Sequence, residues 1–150
     1  MKKDRASAII QYENGMIVIK RIKGYGKNKE EYYTIPGGGR ENGETIEEAT
    51  IREIKEELGI DISLTDKYYE IQSQDRKQYF YIAKYQSGKI GSGQGEEMTN
   101  VDYNKYGKYI PEIIPINEIN KINLLPAEIK NIIVSNLDKI FKLEVESEKI

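Results

Sequence analysis

The chain has 150 residues, a formal net charge of −2 and neither cysteine nor histidine. Without cysteine there is no disulfide framework and no thiolate metal site. Without histidine there is no Ser-His-Asp or Cys-His triad, no imidazole zinc site and no histidine acid or base. General acid–base work therefore falls to carboxylate, lysine, tyrosine or an activated water.

Acidic and basic residues are mixed along the chain, so there is no broad basic footprint for nucleic acid. No long apolar run or signal-like start is seen, and the expectation is a cytoplasmic protein that neither crosses nor binds a membrane. The length suits one domain over residues 1–150.

Ala6 to Tyr12 and Met16 to Arg21 read as strands joined across Glu13-Asn14-Gly15, where Asn-Gly between apolar runs signals a hairpin. Ile22 to Glu31 reads as a polar loop. Tyr32 to Ile35 reads as a strand entering Pro36-Gly37-Gly38-Gly39, a proline and three glycines that predict a turn. Backbone stripped of side chains there can approach a metal or a phosphate closely. The run is not a P-loop, because no Gly-Lys-Ser/Thr follows at the required spacing.

Thr45-Ile46-Glu47-Glu48 has the form of a capping box and predicts a helix starting after Thr45, with Gly59 as its stop. On a wheel of about 100° per residue, Glu53, Glu56 and Glu57 share one face, and Ile51, Ile54 and Leu58 share a neighbouring face suited to packing on a sheet. Arg52 flanks the acidic face, where it can bind and orient a carboxylate. Like-charge pairs at helical spacing each destabilise an isolated helix by roughly 0.2–0.5 kcal/mol. A divalent cation turns that repulsion into chelation, and all-oxygen donors suit Mg²⁺, with Mn²⁺ also acceptable.

Lys67 to Gln72 and Gln78 to Tyr85 read as strands around Asp75-Arg76-Lys77. Ser87 to Tyr106 reads as a long loop whose glycine-rich part, Gly88 to Glu97, holds four glycines and ends in the carboxylates Glu96 and Glu97, and long loops in compact domains are often functional. Tyr109 to Ile116 reads as a strand interrupted by prolines. Pro126 opens a helix to about Phe141 with Ile129, Ile132, Ile133, Leu137 and Ile140 at core spacing. The charged tail after about residue 142 is expected to fray. Strands flanking a buried helix, with a terminal helix, predict an α/β fold with a mixed sheet between helices.

The stretch from Gly38 to Ile60 resembles the Nudix box, G-x5-E-x7-R-E-U-x-E-E-x-G-U with U a bulky aliphatic. Gly38, Glu44, Arg52, Glu53, Ile54, Glu56, Glu57, Gly59 and Ile60 fill all nine specified positions. The resemblance is to small MutT-like Nudix hydrolases and implies an α/β/α sandwich. It implies hydrolysis of a nucleoside diphosphate linked to another group, dependent on Mg²⁺ or Mn²⁺.

By the resemblance, Glu53, Glu56, Glu57 and the carbonyl of Gly37 hold the metal, while Arg52 and Glu44 orient the cluster. The base is Glu53 or a glutamate beyond the box, with Glu96, Glu97 and Glu112 as candidates. Lys20 and Arg21 are candidate phosphate contacts. Among twelve tyrosines, Tyr32, Tyr33, Tyr79 and Tyr81 are candidates to stack a base, although strand tyrosines more often pack.

The box specifies chemistry rather than substrate. The first expectation is a nucleoside triphosphate, an oxidised one included, cut to monophosphate and pyrophosphate. ADP-ribose, nucleotide sugars and dinucleoside polyphosphates are the alternatives, and the proline that follows the box in many ADP-ribose pyrophosphatases is missing here. A nucleotide-sensing binding module is the non-enzymatic alternative. The expected partner is a small nucleotide, with the protein a monomer or homodimer.

Overall fold

The computed structural model describes residues 3–24, 26–73, 75–93 and 107–143. Eight strands form one mixed sheet: β1 (Arg5–Tyr12), β2 (Gly15–Lys23), β3 (Glu30–Thr34), β4 (Gly37–Gly39), β5 (Ile60–Gln72), β6 (Lys77–Gly88), β7 (Lys108–Pro115) and β8 (Leu124–Leu125). The helices are α1 (Ile46–Leu58), α2 (Ala127–Ser135) and the short α3 (Leu137–Ile140). A 3-10 turn, Ile116–Lys121, follows β7.

The sheet order is β5-β6-β1-β2-β3-β8, with β4 also on β1 and β7 also on β2. Pairing is parallel for β1 with β6 and for β3 with β8, and antiparallel elsewhere. β1 and β2 pair only beside their hairpin, at Gln11–Met16 and Tyr12–Gly15, and then part. Into that opening β3 pairs with the far end of β2, and β4 pairs with the start of β1. The bend at Ile35-Pro36 carries the chain from one to the other. This splay creates the space in which the candidate site lies.

Strand alternation sends successive side chains to opposite faces. Ala8, Ile10, Ile17 and Ile19 join Ile54 and Leu58 of α1 in one apolar cluster. Ile9, Met16 and Val18 join Ile129 and Ile133 of α2 in another. Central strands covered on both faces are apolar at nearly every position, and a sheet between two helical layers is the α/β/α arrangement expected from the sequence.

Several local expectations change. The three glycines are strand β4 rather than a turn: Gly39, Gly38 and Gly37 pair with Arg5, Ala6 and Ser7. Neighbouring backbone, rather than propensity, makes this strand. In the first hairpin the left-handed residue is Glu13, with φ 53°, and Gly15 already belongs to β2. β2 and β3 take in the two ends of the expected loop, Ile22 and Lys23 on one side and Glu30 and Glu31 on the other. β5 begins at Ile60, directly after α1, rather than at Lys67, and β6 runs on to Gly88.

The C-terminal helix is broken at Asn136, whose φ and ψ of −134° and 30° leave the helical region. β7 forms with its prolines because, among the described residues, it is an edge strand bonded to β2 alone. Ile51 is 44% exposed rather than packed on the sheet, and Ala49 and Thr50 are buried in α1 beside Ile54 and Leu58.

Candidate metal and catalytic site

Helix α1 starts where the capping box placed it. The Glu48 N–H donates to Thr45 Oγ1 at 3.0 Å, and the Thr45 N–H donates to Glu48 Oε1 at 2.9 Å. It ends at Gly59, left-handed with φ 76°, whose N–H bonds Lys55 O. The helix so fixed packs on β1, β4 and β5 and sets its acidic face beside the Gly37–Gly39 strand.

Arg52 organises that face. Its Nε and Nη2 donate to Glu44 Oε2 and Oε1 at 2.6 and 2.8 Å, a two-pronged bond across the loop before the helix. Nη1 donates to Glu53 Oε1 at 2.8 Å and to Glu56 Oε2 at 3.1 Å, and Nη2 also reaches Gly39 O at 3.1 Å. The Arg52 hydrogen bond holds the Glu44 carboxyl down at about 2, with the Glu41–Glu44 backbone contact adding to it. The same contact, ahead of those with Glu53 and Glu56, raises the Arg52 pKa above its ordinary value.

Glu57 behaves differently from its neighbours. It is 6% exposed, and its Oε1 accepts the Gly37 N–H at 3.0 Å. A buried carboxylate needs donors of this kind. Glu53 lies over the backbone of Gly38, where any Cβ would collide with its carboxylate. The acidic face of α1 and the glycine strand are thus in direct contact, and a side chain at Gly38 would displace the Glu53 carboxylate.

Glu53, Glu56 and Glu57 offer hard oxygen donors beside a bare backbone, and this donor set fits Mg²⁺ or Mn²⁺. Among the described residues, no three acidic side chains are already gathered around one point. Arg52 Nη1 engages Glu53 and Glu56, and the Gly37 N–H engages Glu57.

A cleft of about 600 Å³ opens at the splay of β1 and β2. Gly37–Gly39 and Glu57 form one side of it. Arg5, Arg21 and Arg76 bring three guanidinium groups, and Ile19, Ile35, Phe80, Tyr109, Leu125 and Pro126 supply an apolar wall. The Arg21 guanidinium lies over the Tyr109 ring, 3.6 Å from its centroid. Arg5 Nη2 donates to Ile35 O at 3.0 Å. Sequence reasoning named Arg21 but missed Arg5 and Arg76, which are 71 positions apart and carry no local signal.

The other candidates lie elsewhere. Lys20 stands 4.0 Å from Glu112, so that pair sits on β2 and β7, and neither residue lines the cleft. Tyr33 packs against the α2-side core. Tyr81 is 5% exposed and stacks on Tyr68, with ring centroids 4.9 Å apart. Burial, aided by a hydrogen bond with Glu47, pushes its hydroxyl up to about 12. Glu96 and Glu97 lie outside the described residues. A separate depression of about 410 Å³, at Asp66–Tyr69, Ile82 and Lys139, contains none of the site residues.

The NUDIX domain model matches residues 1–126. An ADP-ribose pyrophosphatase of Methanocaldococcus jannaschii is 46% identical over 52 residues, which is 35% of this chain and 29% of that protein. Among solved structures, a NUDIX hydrolase from Nitrosomonas europaea superposes with a TM-score of 0.65 at 18% identity, covering 95% of this chain and 76% of that one. A MutT structure from a comparison of Aliivibrio salmonicida and Vibrio cholerae gives 0.58 at 16% identity, covering 91% and 99%.

Proposed function

This chain belongs to the Nudix family of pyrophosphohydrolases, and we propose that it uses a divalent metal, Mg²⁺ or Mn²⁺, to cleave the pyrophosphate linkage of a nucleoside diphosphate derivative. The substrate we propose first is a nucleoside triphosphate, an oxidised one included, cut to monophosphate and pyrophosphate. The observation that carries this reading is the meeting, in one cleft, of Glu57 and the glycine strand with three arginines and an apolar wall. The arginines suit anionic phosphates, and the apolar wall suits a base.

In this reading Glu53, Glu56, Glu57 and the Gly37 carbonyl hold the metal. The chemistry a divalent cation supplies there is neutralisation of the diphosphate and activation of water. Glu53, or Glu96 or Glu97 from beyond the box, accepts the proton that water loses as its oxygen attacks phosphorus in line with the leaving group. Arg52 keeps Glu53 in place and is itself fixed by Glu44. Arg21, held flat by Tyr109, contacts phosphate, and Arg5 and Arg76 share that role.

The local identity to an ADP-ribose pyrophosphatase supports a second substrate reading, ADP-ribose cut to AMP and ribose phosphate. Incubation with Mg²⁺ and a panel of nucleoside triphosphates, ADP-ribose, nucleotide sugars and dinucleoside polyphosphates tests both. Pyrophosphate release from a triphosphate supports the first. Turnover confined to ADP-ribose replaces it with the second. Binding without turnover of any member overturns the enzymatic reading.

A further inference from the structure

Arg76 stands just before β6, and the peptide that joins it to Lys77 is held from both sides. The Ser73 N–H and Gln72 Nε2 donate to Arg76 O at 2.8 and 3.3 Å. The Lys77 N–H donates to Asp4 Oδ1 at 3.0 Å. Gln78 Nε2 donates back to Ser73 Oγ at 2.8 Å. The connection is thus fastened to the start of β1 and to β6, and it sets Arg76, half-buried, in the wall of the cleft.

The register of the sheet fixes how far Arg76 lies from the carboxylates. Gly37, Ser7 and Phe80 form one row across β4, β1 and β6, and Gly39, Arg5 and Gln78 form the next row on the same face. Arg76 is two residues beyond Gln78. At about 3.3 Å per residue it stands roughly 13 Å along β6 from the row of Gly37. Moving away from Gly37, this wall presents the apolar Phe80, the polar Gln78 and the cationic Arg76. Arg5, abreast of Gln78, adds a second guanidinium. Among the described residues Glu57 is the one acid that lines the cleft, and it sits at the Gly37 end. The two phosphates of a scissile pyrophosphate are adjacent and belong with the metal at that end. The Arg76 end is left for a different anion.

We propose that Arg76 is a specificity-determining residue, which binds a further phosphate carried on a sugar next to the scissile pyrophosphate. This rests on the reading of the cleft as a nucleotide site with its metal at the Gly37 end. A guanidinium forms a two-pronged, charge-assisted bond with phosphate, as arginine does for the 2′-phosphate of some dinucleotides. The sugar lies along the Gln78 stretch, and the substrate class is a nucleoside diphosphate derivative phosphorylated on its ribose.

The test is calorimetric titration of the full chain, with Mg²⁺ present, by AMP, adenosine 2′,5′-bisphosphate and adenosine 3′,5′-bisphosphate. Wild type is compared with Arg76→Ala, Arg76→Lys and Lys77→Ala. Wild type should bind one of the bisphosphates about tenfold or more tightly than AMP, the worth of a hydrogen bond between charged groups. Arg76→Ala should lose that preference, and Arg76→Lys should keep part of it. Lys77→Ala removes the same charge one residue away, outside the cleft lining, and should keep the preference whole. Equal binding of all three nucleotides by wild type overturns the proposal. A preference that survives in Arg76→Ala overturns it too, and so does one that Lys77→Ala also loses, because diffuse charge is then the source. Hydrolysis of the nucleotide panel is scored separately, so each of these results leaves the pyrophosphohydrolase reading standing. Binding of none of the three by wild type overturns the proposal, and the reading falls with it only if the panel is also left uncut.

Discussion

Arg52 and Glu44 are joined by two hydrogen bonds, Nε to Oε2 at 2.6 Å and Nη2 to Oε1 at 2.8 Å. This bond ties the loop before α1 to the body of the helix, and the remaining Arg52 nitrogen then faces Glu53 and Glu56. Arg52→Ala should therefore lose both stability and turnover, because it frees Glu44 and leaves three carboxylates without their shared cation. The expected fall in Tm in EDTA is on the order of 5 °C. Arg52→Lys should recover only part of either loss, since an ammonium cannot form the planar two-pronged bond. An unchanged Tm for Arg52→Ala would show that the network adds nothing to the fold.

The same pair predicts an acid response. Glu44 has its folded pKa lowered from 4.5 to about 2. A depressed carboxylate contributes stability that is complete above its unfolded value and is lost as pH falls through the folded one. Glu44→Gln should thus melt below wild type at neutral pH. The difference between the two should shrink from about pH 4.5 downward and vanish near pH 2. Melting curves at half-unit steps measure it. A difference that stays constant across that window would contradict the ion pair as its source.

Glu57 separates fold from function. Glutamine keeps an oxygen that can accept the Gly37 N–H, so Glu57→Gln should hold the Tm of the metal-free protein while losing turnover strongly. Glu57→Ala orphans that buried N–H and should cost about 1–3 kcal/mol. Denaturant melts of both variants in EDTA decide this. If Glu57→Gln unfolds as easily as Glu57→Ala, the charge itself is structural and its assignment to a metal fails.

The capped helix, the glycine stop and the shared face of Glu53, Glu56 and Glu57 are local patterns, legible in the order of the residues alone. The helical wheel gives direction but not depth. It does not show that Glu57 is buried against Gly37, or that Ile51 faces solvent, because both depend on where β4 and β5 lie. Strand β4 is not legible in the sequence, since three glycines have no strand preference of their own and pair only because β1 stands beside them. Arg5 and Arg76 meet the box residues across the sheet, and that proximity arises from the parallel β1–β6 pairing and the splay of β1 from β2.

The central claim is that this carboxylate face works by holding a divalent cation for phosphoryl chemistry. The most direct test is the rate at which the purified protein cleaves its best substrate from the nucleotide panel, measured with Mg²⁺ and again with excess EDTA. The account predicts hydrolysis with Mg²⁺, its loss in EDTA and its return when Mg²⁺ or Mn²⁺ is restored. Full activity in EDTA would contradict it.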